Sequence, residues 1–183
     1  MDNGASSYRR FLDGDESAFR EIMEEYHHGL VFFIHGYVQD IHTAEDIAID
    51  VFSDLIVHKH RYNFKIALKS YLYMLGRSRA LDHIKHRNCR PMVELSQAEA
   101  LKDETSALED LVLADERKRK IHTAMAQLPE DMRVSLHLIY FEDMTYEEAS
   151  KVMRKNKKQI DNLLYRAKKE LRTLLGKEGE ALL

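Results

Sequence analysis

The chain is poor in the residues that punctuate or cross-link a fold. Its 183 residues include one cysteine, two prolines, seven glycines and no tryptophan. A lone Cys89 excludes a disulfide framework and a thiolate zinc site, because both need several sulfurs. It fits a reducing compartment, so a cytoplasmic location is expected. So few prolines and glycines cannot supply the frequent turns of a sandwich or barrel. The fold class expected is all-α. The longest apolar run is Leu30 to Ile34, far short of a membrane span, so no membrane insertion is expected. No basic stretch leads into an apolar core near the start, so no signal peptide is expected. Phosphate-loop, nucleophile-elbow and HExxH motifs are missing, so neither enzymatic activity nor a cofactor is expected. His83 and His86 could share a metal at i, i+3, but positive charge surrounds them, and no metal is expected either.

What is present is 44% apolar and 32% charged residues, enough for packed cores and too apolar for wholesale disorder. The net charge of −3 hides a strong pattern. Residues 1–60 carry −8, residues 61–90 carry +7 and residues 91–116 carry −7. Residues 121–150 carry −5 and residues 151–172 carry +7. A charge block is usually a solvated face. Two basic blocks, each on a patterned helix, favour a polyanionic partner.

Apolar side chains recur at steps of three and four from Phe19 to Tyr37, predicting a helix over about Asp15 to Val38. Gly29 and Gly36 weaken its continuity. Thr43 is the expected cap of the next helix, with acids in its first turn. Behind it, Ile47, Val51 and Leu55 with Ala48, Phe52 and Ile56 form the apolar stripe. Residues 57–64 break the pattern and read as a loop. A third helix is expected from Lys65 to His86, ended by Pro91. Residues 91–110 are acidic with little periodicity and read as a linker. A helix from about Leu108 to Leu128 stops at Pro129, and another is expected over Arg133 to Phe141.

The final segment holds two capping boxes, Thr145-Tyr-Glu-Glu148 and Asn156-Lys-Lys-Gln159. Two capped helices joined by three residues, Arg154 to Asn156, have helix-turn-helix spacing. A plain hairpin in a core shares that spacing. The outer face argues for DNA: Lys157, Lys158, Asn162, Tyr165, Arg166 and Lys169 point away from the stripe Ile160, Leu164, Ala167 and Leu171. Lysines at a helix N-terminus oppose its dipole, which a phosphate contact would explain. Asn, Gln and Arg side chains can read base edges. In the first basic block, cations interleave with Tyr62, Phe64, Tyr71 and Tyr73, a composition suited to phosphates and unpaired bases. The acids Glu45, Asp46, Asp50 and Asp54 share one side of a helix. They form a strip, not a cage, which suits a protein-docking or merely solvated face better than a metal.

These residues resemble the sigma-70 family of RNA polymerase sigma factors, of the extracytoplasmic-function (ECF) type. The matching stretches are AEDIAIDVFSDL (44–55), YLYMLGRSRALDHIKHR (71–87), LPEDMRVSLHLIYFEDMTYEEASKVM (128–153) and QIDNLLYRAKKELRTLL (159–175). The resemblance implies a sigma-2 helical bundle over 8–90, the linker 91–110 and a sigma-4 helix-turn-helix over 111–176. It implies that Glu45, Asp46, Asp50, Phe52 and Asp54 dock on the β′ coiled coil of core RNA polymerase. It assigns the −10 element to His60, Arg61, Tyr62, Asn63, Phe64, Lys65, Arg77, Arg79, His83, Lys85, His86 and Arg87. The loop His60 to Lys65 would capture a flipped base of the melted strand. The −35 element falls to Lys155, Lys157, Lys158, Gln159, Asn162, Tyr165, Arg166 and Lys169. Sigma-4 would also meet the β flap, and an anti-sigma factor is an expected partner. Ser78 stands where the family often has Asn, Arg154 where it has Gly, and Asp161 and Leu163 where it is often basic.

A flexible 20-residue linker spans roughly 22–27 Å r.m.s. and at most about 66 Å extended. Promoter elements 16–17 base pairs apart lie about 55 Å from each other. The linker is therefore largely stretched when both are held. The rival readings are a stand-alone helix-turn-helix regulator and a metal-dependent helical hydrolase.

Overall fold

The computed structural model describes residues 4–89 and 116–176, and every regular element among them is helical. The expected linker 91–110 lies outside the described residues, as does the start of the helix expected from Leu108.

The chain opens with a helix the sequence pattern did not announce, α1 (Ala5–Leu12). It follows Gly4, whose φ of 75° and whose neighbour Tyr26 leave no room for a Cβ. α2 (Glu16–Val38) is capped by Asp15, whose carboxylate accepts from the Ser17 N–H at 3.0 Å. It runs unbroken through Gly29 and Gly36. α3 (Ile41–Val57) starts earlier than expected. Asp40, not Thr43, is the cap, and its carboxylate accepts both the N–H and the hydroxyl of Thr43. α4 (Leu68–Cys89) starts later than expected. The Asn63 side chain accepts from the Lys65 N–H, and Phe64 sits at φ 60°, a left-handed conformation no helix tolerates.

α5 (Glu116–Ala126) ends before Pro129, which stands at the N-terminal boundary of α6 (Glu130–Leu136). The expected helix Arg133–Phe141 is thus longer at its start and altered at its end. Residues His137–Phe141 form a π-helical turn, with the Glu142 N–H reaching back five residues to the His137 carbonyl at 3.1 Å. α7 (Tyr146–Met153) and α8 (Lys157–Leu175) follow, each with its capping box formed in full. Arg154 makes the turn between them in the left-handed conformation, φ 54°.

Tyr8, Ile22, Leu30, Phe33, Phe52 and Leu72 fill the core of the first unit, α1–α4. Met132, Leu138, Val152, Ile160, Leu164 and Leu171 fill that of the second, α5–α8. Fully burying each such side chain is worth roughly 1.5–3 kcal/mol. The two units also pack on one another, α4 against α7 and α2 against α6.

Candidate nucleic-acid interface

α8 presents its polar face to solvent because its apolar residues recur at three and four and bury Ile160, Leu164, Ala167 and Leu171. Lys158, Asn162, Arg166 and Lys169 are exposed on the other side, around a Tyr165 that is 73% exposed. Asp161 shares that face. Lys157 pairs with Glu147 at 3.2 Å, and Lys155 reaches Asp131 at 3.0 Å. The Gln159 carbonyl is taken by its own cap, accepting from the Asn156 N–H at 2.8 Å, which leaves its amide NH2 group. The sequence reading and the structure bring the same side chains to one face here.

The first basic block is arranged differently. His60, Arg61, Asn63 and Lys65 are exposed in the loop, and His83, Lys85, His86 and Arg87 along the end of α4. Tyr62, however, is 3% exposed, and Tyr73 is fully buried. Neither can stack on a base in this arrangement, because both rings are needed to fill the core. Tyr62 instead donates its hydroxyl to the Ile66 carbonyl at 2.6 Å and packs edge-on against Tyr8. Phe64 is half-buried on Tyr62, with the Arg9 guanidinium carbon 5.0 Å above its ring. Arg79 and Arg61 both approach Asp54, at 3.3 and 3.7 Å, and His58 Nδ1 lies 2.9 Å from it. Asp54 is only 12% exposed. Its carboxylate is thus turned toward the loop and α4.

On α3, then, the acidic strip divides. Asp46 and Asp50 are exposed and Glu45 half-exposed, beside His42, but Asp54 faces inward and Phe52 is a core residue, 2% exposed. Phe52 falls in the apolar stripe, and burying its ring outweighs leaving it on a surface. Ile56, assigned to that stripe, is instead exposed, as are Ile49 and Val57. These three apolar residues among the acids are surface residues that the periodicity did not single out. The signal was available in Ile49, which lies outside the stripe.

The seam between the units carries polar contacts that were not foreseen. Glu142 is held between them: its carboxylate meets Lys69 of α4 at 2.8 Å and His137 at 3.3 Å, and its carbonyl accepts from Lys69 at 2.6 Å. Burial opposes ionisation, but the hydrogen bonds from His137 and Lys69 outweigh it and hold the carboxyl at about 2. Gly29 makes room for this group; a Cβ there would collide with Glu142 Oε1 and Tyr73 Oη. His137 Nε2 also lies 3.2 Å from the Gly29 carbonyl. Further along, Arg133 donates twice to the Gly36 carbonyl, at 2.7 and 3.0 Å, and to the carbonyls of Ala126 and Leu128. Arg77 faces Tyr37 and the acid Glu130, whose pKa burial raises. So two cations of the first basic block, Lys69 and Arg77, point at acids of the second unit.

Comparison with known proteins joins these two faces in one class. Residues 22–89 match Sigma-70 region 2, and residues 118–171 match Sigma-70, region 4. Region 2 followed by region 4 is the layout of a two-part sigma chain. The RNA polymerase sigma-H factor of Pseudomonas aeruginosa is 30% identical over 171 residues, covering 88% of each chain. The ECF RNA polymerase sigma factor SigM of Bacillus subtilis is 26% identical, over 84% of this chain and 93% of its own. This chain belongs to the sigma-70 family of RNA polymerase sigma factors, in the ECF branch. Its fold resembles that of the sigma factor RpoE of Bartonella quintana, solved in complex with the anti-sigma factor NepR. That match has a TM-score of 0.65 and 18% identity, over 87% of this chain and 97% of that one. CnrH in complex with the cytosolic domain of CnrY gives 0.63 and 15%, over 94% of each.

No helix among the described residues is long and apolar enough to cross a membrane. No cluster of metal-ligating side chains occurs among them.

Proposed function

We propose that this chain directs core RNA polymerase to a promoter and helps to melt it, as a transcription initiation factor of the cytoplasm that performs no catalysis. The free cationic face of α8 behind its two capping boxes carries this reading. Its exposed Arg166 and Asn162 are suited to base edges in a major groove, and Lys158 and Lys169 to phosphates. The loop 60–65 and the end of α4 take the −10 element as a melted strand, with the half-buried Phe64 set within that loop. The exposed side of α3, with Asp46 and Asp50 between Ile49 and Ile56, suits the β′ coiled coil, and the second unit suits the β flap. Two similar solved proteins are bound to an anti-sigma factor or a partner's cytosolic domain, and an anti-sigma factor is the partner proposed to hold this chain inactive.

The packed arrangement bears on the mechanism. α4 touches α7, and α7 touches α8. Two helix spacings amount to roughly 20 Å, against about 55 Å between promoter elements. The units must part before both elements are held. In vitro transcription with core polymerase and mapped start sites tests the reading. Start sites preceded by two common elements are expected. Sequence-selective binding to duplex DNA at about 150 mM salt, with no association with core, would establish a stand-alone regulator instead.

A further inference from the structure

The helix α1 lies outside both matched regions, yet it holds the loop to which the −10 element is assigned. Tyr8 is fully buried, and its hydroxyl donates to the Lys59 carbonyl at 2.7 Å, across 51 residues of sequence. A second acceptor, the Leu55 carbonyl, lies 3.4 Å away at the end of α3. The Tyr8 ring packs edge-on against Tyr62, at 5.2 Å, and tilted against Phe64, at 6.0 Å. Next to it in sequence, Arg9 sets its guanidinium over the Phe64 ring, 5.0 Å from the centroid. Phe64 is the loop residue that needs such support. A left-handed φ of 60° is costly for an aromatic residue and persists only where the surroundings over-determine it. The loop's own bonds, Tyr62 to Ile66 and Asn63 to Lys65, fix its turns but not the Phe64 ring. The side chains of Tyr8, Arg9 and Tyr62 lie against that ring.

We infer that α1 is a positioning element for base discrimination: Tyr8 anchors the loop backbone at Lys59, and Tyr8 and Arg9 together hold Phe64 in its left-handed pose. Neither residue needs to touch the base. Arg9 is exposed and Tyr8 is not, so the two can be separated by experiment. This inference rests on the assignment of loop 60–65 to the melted −10 strand.

The test uses the full chain assembled with core polymerase. Fluorescent single-stranded oligonucleotides carry each of the four bases, or an abasic site, at each −10 position. The readout is the affinity ratio between preferred and disfavoured bases. Tyr8→Phe keeps the ring and removes the donor; a drop in the ratio of about fivefold is expected, the weight of one net hydrogen bond. Arg9→Ala should lower the ratio by about threefold, and Arg9→Lys should restore part of it, since an ammonium also sits over a ring. Affinity for the abasic strand should stay within twofold. Unchanged ratios in both variants, with a clear preference in the parent, would overturn the role of α1 alone. A parent holoenzyme with no base preference on any oligonucleotide would remove the loop assignment beneath it. Equal losses on every oligonucleotide, abasic included, would make Arg9 a phosphate contact and overturn its positioning role.

Discussion

α4 and α8 are both long cationic helices, and they hold their charge in opposite ways. The cations of α8 mostly face solvent; Lys157 pairs with an exposed acid of the preceding helix, and Lys168 sits over the Tyr140 ring. Those of α4 are largely engaged: Arg79 by Asp54 of its own unit, Lys69 by Glu142 and Arg77 by the neighbourhood of Glu130 in the other. The difference teaches that cationic composition does not by itself make a ready nucleic-acid face. On α8 the capping boxes and apolar stripe alone fix which side is outward. On α4 the freedom of Lys69 and Arg77 depends on whether the second unit is docked.

Breaking the engagement of α4 should have the largest effect. Glu142→Ala leaves Lys69 and His137 without their shared carboxylate, and losing one partner of a buried pair costs on the order of 3 kcal/mol. The units should then part, read as a larger hydrodynamic radius with helicity retained. Acid should act in the same direction. The Glu142 carboxyl is held at about 2, below its ordinary 4.5. Its stabilising contribution is complete above about pH 4.5 and is lost as pH falls towards 2. Glu142→Gln should be insensitive in that window relative to the parent.

On α8, by contrast, single changes should act on DNA directly. Arg166→Ala should reduce discrimination at one base pair by about 1–3 kcal/mol, whereas Lys158→Ala should weaken binding to all sequences and lower the salt slope by about one. Footprinting and salt titration of holoenzyme on specific and scrambled promoters separate the two. Identical profiles would erase the distinction drawn between the two residues.

The acids of α3 give a smaller contrast of the same kind. Asp54→Asn removes the partner of Arg79 and His58 and should cost about 1.5 kcal/mol of stability in a denaturant melt. Asp50→Lys should cost no more than ~0.5 kcal/mol, yet weaken association with core polymerase. In the turn, Arg154→Gly relieves a left-handed residue and should raise the melting midpoint, by about 0.5–1 kcal/mol of stability.

Where one segment determines its own structure, the sequence was legible. Both capping boxes, the three-residue turn and the outward face of α8 follow from local spacing, and the structure holds them as read. Legibility failed where distant residues decide. Tyr62 could be judged surface or core only once α1 was in place. Asp40 displaced Thr43 as a cap because its carboxylate accepts the Thr43 N–H and hydroxyl, which starts the helix three residues earlier and puts Thr43 inside it. α1 is a single short helix with no periodic run long enough to register. The seam was invisible for a similar reason: nothing in the local pattern around Gly29 or Glu142 announces the other.

Gly29 has a consequence for exchanging parts between relatives. Its missing side chain is what admits Glu142 from a unit more than a hundred residues away. A chimera that grafts a foreign first unit with alanine at this position onto this second unit would keep every residue of both readers. The methyl group would meet the Glu142 carboxylate and the Tyr73 hydroxyl, so both side chains would have to shift before the units could dock. The boundary for grafting therefore runs through an atom-sized gap in α2.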